Sequence, residues 1–430
     1  MDIELLYGHG TLRAALPPGA RATIIEKPAM PLLPDPASAV AKALDEPSEG
    51  GNLSTLARGA QSACILICDI TRPVPNALFL RPIIERLMGA GIERERICVL
   101  VATGLHRPNE GPELDEVLGD PWVAKHVTVA NHFARNDADH VHLGQTSKGT
   151  VVRLDRRFVD ADVRIATGLV EPHFMAGYSG GRKVIAPGIA HAETITTFHN
   201  HRFMSHPLAQ NCQLDGNPLH QEQLEIVERL GGALALNTVI DDKRQLSFVN
   251  FGEIVSSHLE AVAFVRRFAE VPIPRRFNTV ITSAAGYPLD KTYYQTVKGM
   301  VGPLDILNEN GDLIIASQCS EGLGSDEYQD AQRRLVKDGV EHFVNAIAQK
   351  THAAIDEWQT QMQLKPLARG QVTLVCDQLS ESDQALTGVQ ISTDLQATIA
   401  ASIERHGDRH VAVIPEGPYV IPRFEARHVT

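Results

Sequence analysis

The run V-R-I-A-T-G-L-V at 163–170, followed at once by Glu171-Pro172-His173, is apolar sequence that stops at a polar cluster. A short apolar stretch rich in β-formers, without alternation, is the pattern of a strand buried on both faces. Two earlier runs repeat it. A-C-I-L-I-C at 63–68 stops at Asp69-Ile70-Thr71-Arg72-Pro73, and R-I-C-V-L-V-A at 96–102 stops at Thr103-Gly104-Leu105-His106-Arg107-Pro108. Between them, Asn76 can cap a helix with apolar residues at helical spacing as far as Gly89. Strands alternating with helices give βαβ units and a largely parallel sheet. Ligands bind such sheets beyond the carboxyl ends of the strands, which is where the three polar clusters fall.

Working outward, residues 1–60 read as an N-terminal arm with extended segments at 3–6 and 22–25 and a proline-rich loop at 28–36. On the other side, a helical pattern at 253–269 is interrupted by V-P-I-P-R-R, and a new strand opens at Asn278. Strands at 312–317, 372–376 and 410–414 then alternate with helical patterns at 326–362 and 393–404. The fold class expected is α/β, with two α/β domains and largely parallel sheets. The expected division is an N-terminal domain at 1–270, a linker at 271–277, a C-terminal domain at 278–408 and a terminal segment at 409–430 packing back near the junction.

A chain of 430 residues suits two or three domains. Its formal charge of -12 argues against nucleic acid as the main partner, since a polyphosphate needs a basic face. The N-terminus has no apolar signal region and no run reaches the length of a membrane span, so a cytoplasmic protein with no membrane partner is expected. The six cysteines sit mostly in strand-like runs and read as reduced core residues. Of the 18 histidines, His140, His142 and His258 lie in ordinary polar contexts and are expected at the surface.

Residues 171–201 concentrate the chemistry: His173, His199, His201, a Gly177-Tyr178-Ser179-Gly180-Gly181 turn, Arg182 and Lys183. The turn satisfies the G-x-S-x-G of a serine-hydrolase elbow, but the strand before it ends near Val170, too early for that geometry. A P-loop fails because Arg182 stands where Gly is required and Val184 where Ser or Thr is required. What survives is a Gly-rich turn whose amides, with Arg182 and Lys183, can face a phosphate. Histidines without H-E-x-x-H or cysteine pairs are a weak zinc signal, and imidazole also suits nickel or copper with non-protein donors. Arg72 and His106, each just past a strand, suit a carboxylate or phosphate ligand and proton transfer. Trp358 reads equally as core or as a stacking platform.

D-I-T-R-P-V-P at 69–75, G-L-H-R-P at 104–108, E-P-H-F-M-A-G-Y-S-G-G-R-K at 171–183, T-I-T-T-F-H at 194–199 and Y-Q-T-V-K at 294–298 together closely resemble the nickel-dependent lactate racemase family. Trp358 and I-P-E-G-P at 414–418 fit as well. The resemblance implies a racemase or epimerase of small 2-hydroxy acids, with its active site in a cleft between two domains. It implies a nickel pincer nucleotide, a pyridinium-3,5-bisthiocarboxylic acid mononucleotide carrying nickel, and dependence on the enzymes that make it. By position, His106 and His173 would be the acid/base pair, and Arg72, Gln295 and Lys298 would hold the substrate. Lys183 would tether the cofactor, His199 would ligate nickel, and Asp69, Gly177, Gly180, Gly181, Tyr294 and Trp358 would line the cofactor site. One departure is Phe198, where family members often have Asn; Asn200 and His201 follow, so His201 is an alternative ligand. The implied chemistry is removal of the hydroxyl proton by a histidine and of the C2 hydrogen as hydride, which avoids a carbanion beside a carboxylate.

Overall fold

The structure, a computed structural model, describes residues 1–426. The chain divides into two compact units, one formed by Ala29–Phe198 and Gln213–Arg267, the other by Met1–Pro28, His199–Cys212 and the chain from Phe268 onward. The division departs from the expected 1–270 domain in two places, since residues 1–28, the first part of the N-terminal arm, and residues 199–212 belong with the C-terminal unit. Residues 427–430 of the expected terminal segment lie outside the described residues.

In the first unit a six-stranded sheet runs in the order Leu246–Glu253, Leu234–Ile240, Val163–Leu169, Ala63–Cys68, Ile97–Ala102, Thr128–Asn131. Only the Leu246–Glu253 edge is antiparallel. The central strand Ala63–Cys68 is apolar on both faces because both are covered. Ile65 and Ile67 pack with Phe79, Leu80, Ile83 and Ile84 of the helix Asn76–Gly89. Asn76 does not cap that helix as expected. It is the first helical residue, is buried, and donates through Nδ2 to the Val117 carbonyl at 2.7 Å.

The second unit has its own six-stranded sheet, ordered Gln390–Ser392, Gly370–Val375, Leu307–Ala316, Phe277–Ser283, His410–Ile414, Arg21–Ile24. Every pair is parallel. Arg21–Ile24 lies beside His410–Ile414, and this pairing ties residues 1–28 of the N-terminal arm to this unit. The expected linker is not a free connection: Glu270–Ile273 is a short strand paired in parallel with Ile421–Phe424. Among the described residues, no helix is long and apolar enough to cross a membrane. The six cysteines are free thiols, four of them buried.

Candidate functional site

Three adjacent parallel strands of the first unit carry most of the polar clusters. Cys68 pairs with Ala102 and Leu66 with Ala166, so Ala63–Cys68, Ile97–Ala102 and Val163–Leu169 end at nearly one level. Asp69 and Arg72 follow the middle strand, His106 follows one neighbour, and Glu171 and His173 follow the other. Parallel register alone therefore gathers residues that are far apart in sequence.

Asp69 and His106 are 37 residues apart, and His106 Nδ1 lies 2.5 Å from Asp69 Oδ2. The other carboxylate oxygen, Oδ1, accepts from the Thr71 hydroxyl at 2.5 Å and the Thr71 amide at 3.2 Å. Burial raises the Asp69 pKa, but the bond and charge of His106, the Thr71 bond and the Arg72 charge outweigh it and hold the carboxyl below its usual range. An ionised Asp69 only accepts, so His106 must carry its proton on Nδ1 and present a lone pair at Nε2. The ring is 63% exposed while Asp69 is 7% exposed, so a buried anchor orients an accessible base.

His173 is set oppositely. Its Nδ1 accepts from the amides of Met175 at 3.3 Å and Ala176 at 3.2 Å, which places the proton of the neutral ring on Nε2. Arg72 Nη1 is paired with Glu171 Oε1. Glu171 had no expected role, although its place at the end of a buried strand was a signal for one.

Lys183 lies in the short helix Arg182–Ile185. Its charge, with those of Asp69, Arg72 and Glu171, acts on the Cys68 thiol, which burial above all, and then the Asp69 charge, push up to about 12. Lys183 thus stands at the same sheet end as Asp69, Arg72 and Glu171. The glycines before it have a reason that needs no ligand. A Cβ on Gly177 would lie 2.3 Å from the Gln213 carbonyl oxygen, one on Gly180 2.7 Å from Val170 Cγ2, and one on Gly181 2.8 Å from the His258 ring. All three also have positive φ.

Arg182, expected to face a phosphate, points inward and is 1% exposed. Its Nε donates to His220 Nδ1 at 2.8 Å, its Nη2 to the Ala176 carbonyl at 2.9 Å, and its Nη1 lies 2.9 Å from His258 Nε2. His258 and His140 are both buried, contrary to expectation, while His142 is exposed. The Ser179 hydroxyl donates to the Leu169 carbonyl at 2.7 Å and accepts from the Glu171 amide at 3.0 Å. These bonds fasten the turn and leave the serine in no nucleophilic arrangement.

The remaining expected residues belong to the second unit. The helix Tyr293–Val301 buries Tyr293, Thr296, Val297 and Met300, and carries half-buried Tyr294, Gln295 and Lys298 on its other side. Spacings of three and four put those three on one face. Thr292 caps the helix by accepting from the Gln295 amide at 3.3 Å, and Gln295 Oε1 is buried without a hydrogen-bond partner among the described residues. Trp358, near the start of Glu357–Arg369, has its ring centroid 4.9 Å from that of His199, at 42°. Two positions on, His201 Nδ1 is buried with no hydrogen-bond partner among the described residues. Burial pushes the His201 pKa down, partly offset by a hydrogen bond with Gln361.

Residues 7–211 match the family described as the lactate racemase N-terminal domain, and residues 274–421 match the lactate racemase C-terminal domain. The chain is 30% identical over 436 residues to a lactate racemase of Thermoanaerobacterium thermosaccharolyticum, covering 98% of this chain and 99% of that one. It is likewise 30% identical over 385 residues to a lactate racemase of Lactiplantibacillus plantarum, covering 89% and 90%. The solved structure of the lactate racemase apoprotein from T. thermosaccharolyticum matches with a TM-score of 0.90 at 29% identity, covering 98% of this chain and all 100% of that one.

Proposed function

The chain belongs to the lactate racemase family, and on that basis we propose that it inverts C2 of a small 2-hydroxy acid such as lactate. The observation that carries the reading is the buried, ionised Asp69 holding an exposed His106 with its basic nitrogen outward. A protein that only stored a cofactor has no use for an oriented base.

The residues present fit a nickel pincer nucleotide. Such a ligand brings its own sulfur and carbon donors, so one imidazole completes the coordination, and two imidazoles, His199 and His201, are at hand. The orphaned His201 Nδ1 and Gln295 Oε1 are buried polar atoms of the kind that a bound group satisfies. His199 would ligate the nickel, Lys183 would supply the amine for a tether, and Tyr294 and Trp358 would lie against the nucleotide. When bound, the group supplies a hydride acceptor that can return hydride to either face of the substrate.

The protein's part is to hold the acid and manage the proton. Arg72 and Lys298 anchor the carboxylate with two cations, of which Arg72 is pre-aimed by Glu171. His106 Nε2 takes the hydroxyl proton as C2 loses hydride, and a planar 2-keto acid results. The keto oxygen then turns toward His173, which enters the step doubly protonated; as hydride returns to the other face of C2, Nε2 of His173 gives the oxygen its proton, leaving His173 neutral and His106 with the proton it took. Running the reaction from the other enantiomer requires the two rings to exchange roles, and the long amide contacts at His173 Nδ1 are weak enough for a proton to compete with.

The test is chiral chromatography of a panel of 2-hydroxy acids incubated with protein co-produced with the cofactor-synthesis enzymes. Either pure enantiomer of at least one acid is expected to become the racemate, or the epimer where a second centre exists. Tightly bound nickel with no inversion of any acid would replace the racemase reading by a cofactor carrier. A second prediction concerns the metal. His199→Ala is expected to lose stoichiometric nickel and His201→Ala to retain it, as read by elemental analysis; the reverse pattern would move the ligand to His201.

A further inference from the structure

The Asp69–His106 contact joins two loops that leave neighbouring strands, and a bond of 2.5 Å tolerates little change in the span between them. The His106 ring is mostly exposed, so packing does little to hold it there. One side chain crosses between the loops. Asn109, three residues beyond His106 and 1% exposed, accepts through Oδ1 from the amide of Ile70, the residue after Asp69, at 3.2 Å.

Asn109 is itself held at every polar atom. Its amide donates to Asn131 Oδ1 at 2.9 Å and its carbonyl accepts from Asn131 Nδ2 at 2.9 Å, so one side chain pins its main chain in both directions. Asn131 ends the strand Thr128–Asn131, beside Val101 of Ile97–Ala102, which fastens the His106 loop to the sheet. Asn109 Nδ2 donates to Glu113 Oε2 at 2.8 Å, and Glu113 also accepts from both Arg107 Nη atoms at 2.7 Å. On the near side, the His106 amide donates to the Thr103 carbonyl at 2.9 Å and the Thr103 hydroxyl to the His132 carbonyl at 2.8 Å. A buried polar network satisfied throughout is rigid, and the Asn109–Ile70 bond passes that rigidity to the loop of Asp69.

We propose that Asn109 is a positioning residue: by holding the Ile70 amide from the loop that carries His106, it sets the span at which the Asp69 carboxylate meets that imidazole. The proposal rests on the reading of His106 as a base oriented by Asp69. Deleting the Asn109 side chain frees the Ile70 N–H from the neighbouring loop while the Asn131 bonds keep the main chain of position 109 seated. Asp69 then drifts from His106 Nδ1, the proton there loses its acceptor, and the neutral ring divides between its two tautomers.

Imidazole nitrogen chemical shifts report the tautomer directly, in the full chain with or without cofactor. The parent is expected to show His106 in the Nδ1–H form, and Asn109→Ala to show a mixture. In holoenzyme the same variant is expected to lower turnover about 10²-fold with KM little changed, the scale of a small misplacement of reacting groups. Asn109→Asp combined with Glu113→Gln is the conservative control. It keeps an acceptor for Ile70 and a bond between positions 109 and 113 with donor and acceptor exchanged, and is expected to restore the Nδ1–H form and most of the turnover. Asn109→Ser, whose hydroxyl can hold a water in place of the amide, is read in the same way where Asn109→Ala does not fold. A pure Nδ1–H ring in the Ala or Ser variant would overturn the proposal while leaving the oriented base intact. So would a combined variant that behaves like Asn109→Ala. A parent ring already in the Nε2–H form would overturn the reading of His106 itself, and the proposal with it.

Discussion

Asp69→Asn is expected to lower the turnover of racemisation by roughly 10³–10⁴-fold with little change in KM, by the logic that governs a base whose tautomer is set by a buried carboxylate. The Asp69 carboxylate can only accept, so it fixes the His106 proton on Nδ1. An asparagine of the same shape offers its NH₂ group to that nitrogen when its carbonyl keeps the Thr71 bonds made by Oδ1. The ring then carries its proton on Nε2 and meets the substrate hydroxyl as a donor, the wrong state for a base. The low-field proton resonance expected of the 2.5 Å Asp69–His106 contact should vanish in both Asp69→Asn and His106→Ala. Parent-like turnover in Asp69→Asn would show that Asp69 does not orient the base. A rise in KM with unchanged turnover would instead make it a binding residue.

The same pair shows what the sequence could and could not disclose. Each residue was legible as a polar group just past an apolar strand, because such strands end where a sheet's ligands sit. That the two touch was not legible. It depends on Ala63–Cys68 and Ile97–Ala102 being neighbours in parallel register, and strand order is a long-range property. The same limit explains the domain correction. Arg21–Ile24 finds its partner at His410–Ile414, far along the chain, and nothing local to either run specifies the other. Residues 199–212 are held by contacts equally remote. Asn200 Nδ2 donates to the Thr351 carbonyl at 2.8 Å and Lys365 Nζ to the Ala209 carbonyl at 2.6 Å. A helix pattern cannot say which unit will receive it.

Side-chain direction was the other hidden quantity. Arg182 follows two glycines and precedes a lysine, a context that suits an anion, yet it turns inward to close the 176–182 loop on itself through Ala176, His220 and His258. Histidine misleads similarly, because its neutral ring is small, half apolar and equally at home in a core or in water. His132 and His140, with Nε2 atoms 3.0 Å apart, are both buried, and no spacing in the sequence marks them as partners. Gly177, Gly180 and Gly181 were legible as essential, but the reason differs: neighbouring protein atoms occupy the space that a side chain would need.

These buried histidines predict a steep loss of stability in mild acid. Burial and the Arg182 charge hold His220 at about 3, and burial with the charges of His140, Arg157 and His191 holds His132 at about 3, against an ordinary 6.5. For His220 the reason is visible, because its Nδ1 accepts from Arg182 and a protonated ring would set N–H against N–H. The sign follows from proton counting. Below 6.5 the unfolded chain binds protons at these sites and the folded chain does not, so stability is intact above that pH and falls as pH drops toward 3. Each site contributes a slope of up to ~1.4 kcal/mol per pH unit, so two remove about 5 kcal/mol between pH 6.5 and 4.5. That is comparable with the whole stability of many domains. His258, also held far below its ordinary value by burial and Arg182, steepens the fall. Asp69, a depressed carboxylate, cannot mimic the effect, because its contribution disappears only below the ordinary aspartate value of 3.8. Urea midpoints are therefore expected to drop sharply from pH 7.5 to 5, and His220→Gln, which cannot titrate, should flatten the slope by about one proton's worth. A midpoint that stays level over that interval would mean that these rings accept protons without unfolding, and that the Arg182 cluster is open to water.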